Sequence, residues 1–321
     1  MIESFYNTPI YREGNGSNPH IYLVTPDSFD IQLITQALAN NKLLLCRGMT
    51  VDSASEIFGE LVDFYDLRES YDIQMQLVVH MMEGRESVDE VAVTVNERGP
   101  FEIIQPHSEG DSSSPLDLFG LHCSKNAEIG GENILSLINQ DADHTTLLAK
   151  EKVIVCNNPS ESAISELRRE HFDAKEVVAS LDQATKILKE TENGSVVVRT
   201  VAVKPSTSII SGEELITYWD NVTVHDHAFH KFQYQLLKQL GLLHQVANED
   251  YQHYLHIETD SNWAPVDTNS GSTQETAQLF ECHVVHKMSA GEFLIFNNKA
   301  WTHSVNNWPE RQIRQLSAMY A

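Results

Sequence analysis

Ile103-Ile104-Gln105-Pro106-His107-Ser108-Glu109-Gly110 is the stretch on which the reading of this chain turns. Ile103, Ile104 and their neighbours predict a strand over Phe101–Gln105. His107 and Glu109 stand two apart at its end. Side chains in a strand alternate faces, so this spacing puts an imidazole and a carboxylate on one side. Pro106 can end strand pairing, and Gly110 lets the chain turn away. An H-x-E pair in a chain with fifteen histidines is a weak signal alone. Its weight comes from what accompanies it.

A third ligand is available late in the chain. Gly291-Glu292-Phe293-Leu294-Ile295-Phe296-Asn297-Asn298-Lys299-Ala300-Trp301-Thr302-His303 reads as a strand over Glu292–Asn297 followed by a lone histidine past its end. Such a strand can deliver His303 beside His107 and Glu109. Two imidazoles and one carboxylate on one face leave three metal positions open. That is the iron(II) oxygenase arrangement, with two positions for a chelating keto acid and one for O2.

Arg314 adds an anion site. The strand expected over Gln312–Tyr320 alternates, which places Arg314 with Leu316, Ala318 and Tyr320. A guanidinium among inward apolar residues needs an anionic partner. A bound dicarboxylate would satisfy it through paired hydrogen bonds, and an internal ion pair with Asp or Glu is the alternative. Pro309 marks a turn that would lay the His303 and Arg314 strands antiparallel. Arg311 falls in that turn as a solvated charge or a substrate contact.

Outward from these residues, short strands are expected at Val91–Val95, Leu116–Cys123 and Asn133–Ile138, and again at Gln278–Lys287. Leu43–Cys46 reads as a buried strand ending at Gly48. Helices are expected over Phe29–Asn40, over Asp52–Tyr65 with Asp52 or Ser53 as cap, and over Ala228–Leu240. Residues 140–195 read as mostly helical, with helices at Ser160–Phe172 and Val177–Thr191, followed by a strand at Ser195–Val203. Two strand-rich blocks therefore flank a partly helical insertion at about 140–280, the expected lid region of a single 1–321 domain. This order does not alternate strand and helix. It suits a mostly β, α+β protein built on a double-stranded β-helix, or jelly roll, with flanking helices.

Composition narrows the function. Charged residues are 21% and hydrophobic residues 41%, ordinary values for a globular chain, so long disorder is not expected. A formal charge of −24 repels nucleic acid and anionic membranes. No apolar run is long enough to span a bilayer, and residues 1–14 do not read as a signal peptide. Cys46, Cys123, Cys156 and Cys282 form no C-x-x-C pair, and a reduced, cytoplasmic protein is the simple expectation. The expected partner is a small molecule, with no nucleic acid and no membrane.

Other histidines compete as ligands. His225-Asp226-His227, with His230 close by, is a dense cluster, but Asp226 reads better as a helix cap. His283 and His286 fall on opposite faces of a strand. His244, His253 and His256 surround a loop. Ser112-Ser113-Ser114 reads as an exposed turn, and Trp301 as core. No nucleophile elbow or phosphate-cradling glycine loop is present.

Together, His107-x-Glu109, Leu118-Phe119-Gly120-Leu121-His122-Cys123 and Gly130-Gly131-Glu132-Asn133 resemble the taurine dioxygenase family. Gly291–Tyr320 is similar to that family's last two core strands, and Leu43-Leu44-Leu45-Cys46-Arg47-Gly48 to its early strand. Clavaminate synthase-like relatives carry Glu in the triad, as at Glu109. The resemblance spans roughly residues 40–139 and 280–320. It implies a double-stranded β-helix that uses Fe(II), 2-oxoglutarate and O2 and releases succinate and CO2. It assigns His107, Glu109 and His303 to iron and Arg314 to the distal carboxylate of 2-oxoglutarate. Where the family often has Thr, this chain has Asn133, which could donate a hydrogen bond to the same carboxylate. Glu109 argues against halogenation and for hydroxylation, with desaturation or ring closure using the same ligands. A non-redox isomerase or lyase, or a catalytically silent binding protein, on the same barrel are the alternatives.

Overall fold

The computed structural model describes residues 3–13, 18–25, 29–72, 87–88, 92–95, 104–111, 114–145, 152–157, 186–190, 195–200, 205–219, 227–243, 263–266, 272–309 and 311–321. The first part of the chain forms β1 (Glu3–Phe5), β2 (Thr8–Arg12), β3 (Ile21–Val24), α1 (Ile31–Ala39), β4 (Leu43–Arg47) and α2 (Val51–Phe64). It continues with β5 (Val93–Thr94), β6 (Gly110–Asp111), β7 (Ser114–Pro115), β8 (Leu118–Lys125) and β9 (Asn133–Ile138). The middle contributes β10 (Lys152–Asn157), β11 (Lys186–Glu190), β12 (Ser195–Thr200), β13 (Ser206–Thr207), β14 (Glu214–Leu215), α3 (His227–Gln239) and β15 (Trp263–Val266). The end supplies α4 (Thr273–Gln278), β16 (Phe280–His286), β17 (Glu292–Asn297), β18 (Trp301–Val305) and β19 (Gln315–Tyr320).

Two sheets carry the architecture. One has the order β1-β2-β16-β9-β18, and the other β3-β4-β17-β8-β19-β5. β16, β17, β18 and β19 fall alternately in the first and second sheet, and so do β9 and β8. A chain that changes sheet at each turn winds as a double-stranded β-helix, and this is the jelly roll expected from the sequence. Inward residues of both sheets, among them Leu135, Leu137 and Trp301 from the first and Leu121, Leu294 and Phe296 from the second, share one core. Leu43, Leu44 and Leu45 are fully buried because α1 and α2 cover that sheet's other face. Gly120 is required in β8, since a Cβ there would lie 2.9 Å from the Phe293 ring.

A second core lies on the outer face of the first sheet. Ile134, Val285 and Ile138 pack there against Phe229, Phe232 and Leu236 of α3. The fully buried His283 faces this cluster, hydrogen-bonded through Nδ1 to Ser136 Oγ at 2.7 Å, and desolvation drops its pKa to about 3. His286 points to the opposite face, as alternation requires. Cys46, Cys123 and Cys282 are buried free thiols, pushed up to about 12, 11 and 12 by desolvation. Among the described residues no helix is long and apolar enough to cross a membrane.

Several expectations need correction. The α2 cap is Thr50, whose hydroxyl accepts from Ser53 N while Ser53 Oγ accepts from Thr50 N, so the helix starts one residue before Asp52. The middle is not mostly helical where it is described. β10, β11, β12 and β15 form a four-stranded antiparallel sheet, and β11 occupies part of the segment expected as the Val177–Thr191 helix. Lys186-Ile187-Leu188-Lys189-Glu190 has helix-forming residues, but pairing with the β-branched Val196-Val197-Val198 overrides that preference. The expected Ser160–Phe172 helix and the residues 225–226 lie outside the described residues.

Candidate metal centre

Residues 104–106, directly before His107, have no strand pairing, and residues 101–103 of the expected strand lie outside the described residues. His107 forms instead an isolated antiparallel bridge with His303. The two backbones exchange both hydrogen bonds, His107 N to His303 O at 3.0 Å and His303 N to His107 O at 2.8 Å. Residues paired this way project side chains on the same face. The imidazoles consequently lie together, with ring centroids 4.4 Å apart.

His303 is in the middle of β18, not beyond the end of a strand as expected. β18 pairs with β9, which places His303 opposite Leu135. The Phe119 ring stacks on His303 at 4.7 Å and 24°, so the second sheet fixes the ring plane. His107 Nδ1 lies 2.8 Å from the Gln105 carbonyl. A carbonyl only accepts, so the proton belongs on Nδ1 and the Nε2 lone pair turns toward Glu109. Glu109 Oε1 is 3.9 Å from His107 Nε2 and 3.4 Å from His303 Nε2. One ligand atom from each of the three residues lies within 4.8 Å of the other two. These side chains are 5%, 20% and 12% exposed for His107, Glu109 and His303, so the cluster is shielded yet reachable.

Arg314 and Asn133 form a second element of the site. Arg314 Nη2 donates to Asn133 Oδ1 at 3.0 Å, and its guanidinium lies 5.1 Å from the Trp308 ring centroid. Arg314 precedes β19, and an irregularity between Gln315 and Leu316 separates it from the alternation of that strand. The strands of His303 and Arg314 are not antiparallel neighbours as expected, because β18 and β19 belong to opposite sheets. Contact between the two sites comes through β9 instead. Asn133 pairs with Val305 and Leu135 with His303, so Asn133 lies two residues along the same face. Arg311 is exposed.

The backbone of Gly130 and Gly131 makes this approach possible. Both have positive φ, and a Cβ on Gly130 would fall 1.8 Å from the Asn307 carbonyl oxygen. Asn133 is 2% exposed, and its Nδ2 has no hydrogen-bond partner among the described residues. With its oxygen held by Arg314, the amide presents buried N–H donors. An acceptor-only group such as a carboxylate matches them.

Sequence reading missed the residues that tie this site together. Asn298, fully buried, accepts from Glu109 N through Oδ1 at 3.0 Å and donates from Nδ2 to Glu109 O at 2.9 Å. Ser108 N donates to Tyr218 O at 2.7 Å, so part of the middle region runs beside the ligand segment. Lys299 and Asp117 form a buried ion pair at 2.8 Å beneath the same turn. The consecutive Asn297 and Asn298 at a strand end were the available signal, but they specify only a turn.

A second group, Glu13, His286 and Glu292, also brings three ligand atoms within 4.8 Å. Here Arg47 binds both carboxylates, and His286 faces both through its two ring nitrogens. Those oxygens are already committed, and the group is an ion network joining β4 and β17 of one sheet to β16 of the other.

The sequence matches no protein-family model and no curated protein. Solved structures similar to the chain include PvcB from Pseudomonas aeruginosa, described as an Fe, alpha-ketoglutarate dependent oxygenase from an isonitrile synthetic pathway. Two PvcB structures each match at 10% identity, with TM-scores of 0.44 and 0.42, over 97% of this chain and 89% and 85% of those chains; the second is the one so described. A protein from Burkholderia xenovorans described as an alpha-ketoglutarate dependent 2,4-D dioxygenase is 12% identical, with a TM-score of 0.40 over 95% and 94% of the two chains. AAD-2, solved with Mn(II) and N-oxalylglycine, is 13% identical, with a TM-score of 0.35 over the same shares.

Proposed function

We propose that the protein is an iron(II)- and 2-oxoglutarate-dependent oxygenase, with iron held by His107, Glu109 and His303. Two histidines and one carboxylate are a donor set that suits ferrous iron and leaves positions for other ligands. That set alone would also serve other metals. The observation that carries the reading is the cradle beside it. Asn133 Nδ2 is a buried donor without a partner among the described residues, and the Arg314 guanidinium holds the same amide. The cradle stands two residues along β9 from the partner of His303, or ~7 Å at the rise of a strand. A short dicarboxylate bound at one end to the cradle would reach the metal ligands with its other end.

Each residue then has a task. His107 offers Nε2 because Gln105 holds Nδ1, and His303 is oriented by Phe119. Glu109 contributes the anionic ligand. Arg314 and Asn133 bind the distal carboxylate of 2-oxoglutarate and so fix which end faces the metal. The buried walls from Phe119, Phe296 and Tyr320 exclude water on one side. When bound, iron with O2 and 2-oxoglutarate would supply the oxidation of a substrate C–H bond, with release of succinate and CO2.

The charge of −24 disfavours polyanionic partners, and the sequence shows no basic amphipathic segment. These features support a small, polar, amino-acid-like substrate, taken up by a single domain in which residues of about 140–280 help select it. Hydroxylation is the reaction expected. The test is aerobic succinate formation by iron-loaded protein across a panel of amino acids, free and tethered to a carrier protein. Substrate-dependent succinate with free compounds is the expected result. Turnover of tethered forms alone would overturn the substrate class and leave the iron reading intact. Metal binding without any 2-oxoglutarate consumption across the panel, and without binding of 2-oxoglutarate itself, would overturn the oxygenase reading.

A further inference from the structure

Glu109 stands at the base of a hairpin. The chain leaves Glu109 into β6, returns through β7, with Gly110 opposite Pro115 and Asp111 opposite Ser114, and reaches Leu116. The Asn298 side chain bridges that base. Its Oδ1 accepts from Glu109 N at 3.0 Å, and its Nδ2 donates to Glu109 O at 2.9 Å and to Leu116 O at 2.9 Å. The orientation of the amide is fixed by its partners, because a backbone N–H only donates and carbonyls only accept. Asn298 is completely buried, and its own N–H donates to Asp117 O at 2.8 Å. Asp117 in turn pairs with Lys299. The clamp is thus mounted on a rigid turn.

We propose that Asn298 is the positioning residue for the carboxylate ligand: it holds both backbone groups of Glu109, and so sets where the carboxylate meets His107 and His303. This rests on the metal reading of that triad. A two-point hold on the backbone of one residue leaves the side chain little freedom beyond its own rotamers. Without it, the hairpin base opens and Glu109 can swing away from the imidazoles, while both histidines remain fixed by their reciprocal backbone bonds. The loss falls on one ligand of three. Groups that orient metal ligands change metal affinity by roughly 10–100-fold when removed.

Co(II) is the probe, because its visible absorption reports ligand number and geometry as well as affinity. Wild type, Asn298→Ala, Asn297→Ala and Glu109→Ala are titrated, and the thermal midpoint of each metal-free protein is measured. Asn297 is the control: it is equally buried in the same turn, but its amide serves Ser208, Asn41 and the Lys299 backbone N–H and touches no ligand. The expected result is a 10–100-fold weaker, spectrally altered Co(II) complex for Asn298→Ala. Asn297→Ala should lower the thermal midpoint yet keep wild-type affinity and spectrum. If Asn298→Ala does not fold, Asn298→Ser, which can serve only one side of the clamp, is read in its place. Wild-type Co(II) binding by the Asn298 variant, or equal losses in both Asn variants, would overturn the positioning role. Wild type that binds no Co(II), or Glu109→Ala that binds it unchanged, would instead overturn the metal assignment.

Discussion

Replacing Arg314 by Ala should separate co-substrate binding from metal binding. Arg314 bonds to Asn133 at 3.0 Å and lies over Trp308, and it is half-buried. Hydrogen bonds to a charged group contribute about 1.5–3 kcal/mol each in net terms. Arg314 is not fully buried, so solvent screening keeps the expected loss within that range rather than at the larger cost of a broken, fully buried ion pair. At 1.4 kcal/mol per factor of ten, the apparent KM for 2-oxoglutarate should rise roughly 10–150-fold. Co(II) affinity should stay within about threefold of wild type, since the triad is held by other contacts. The assay is succinate release against 2-oxoglutarate concentration at saturating iron, beside a Co(II) titration of the same protein. Arg311→Ala is the comparison: Arg311 is exposed, and its removal should leave both values alone. A 2-oxoglutarate requirement unchanged in Arg314→Ala would refute the cradle. A parallel loss in Arg311→Ala would show that the anion is bound at the turn instead.

Ala at His107, Glu109 or His303 should abolish iron-dependent turnover with the fold retained by circular dichroism, and full activity of Glu109→Ala would remove it from the triad. The ion network at the other end of β17 should make stability acid-sensitive. Burial alone would raise the Glu292 carboxyl, but hydrogen bonds from His286 and the Ser289 amide, the His286 charge and Arg47 outweigh it and hold the group below its ordinary value. A carboxyl depressed in the folded state stabilises above its unfolded pKa, about 4.3, and that contribution is lost as pH falls through the folded value. Glu292→Gln should therefore be less stable than wild type in urea at pH 7, with the gap closing below about pH 4; a gap independent of pH would refute the assignment.

The parts of the fold legible in the sequence are those whose signal is local. Asn133–Ile138 and Glu292–Asn297 are apolar runs bounded by turns, and both strands begin and end where expected. Trp301–Val305 was hidden because Thr302 and Ser304, though polar, are buried beneath α3, with Gln233 reaching Ser304 at 2.9 Å. Polarity there reports a partner supplied by a helix some seventy residues earlier. The candidate ligands could be read because a metal constrains residue types strongly. Their supports could not. An asparagine whose amide bonds the backbone of residue 109 from position 298 looks, in sequence, like any other turn asparagine.

The turn between β17 and β18 therefore does more than join two strands in opposite sheets. Asn298 clamps Glu109, Lys299 anchors the turn through Asp117, Trp301 Nε1 ties it to Asn41 O at 3.0 Å, and His303 follows two residues later. His107 is bound to His303 through the backbone. All three candidate ligands are thus referred to a single short segment, while Arg314 approaches from the other sheet and meets Asn133 on β9. Loss of the Asn298 clamp can displace the carboxylate ligand without touching the anion cradle, and a disturbance of Gly130–Gly131 or Arg314 can do the reverse. The two functions share β9 but rest on different side-chain contacts, which is why single substitutions should be able to weaken one and spare the other.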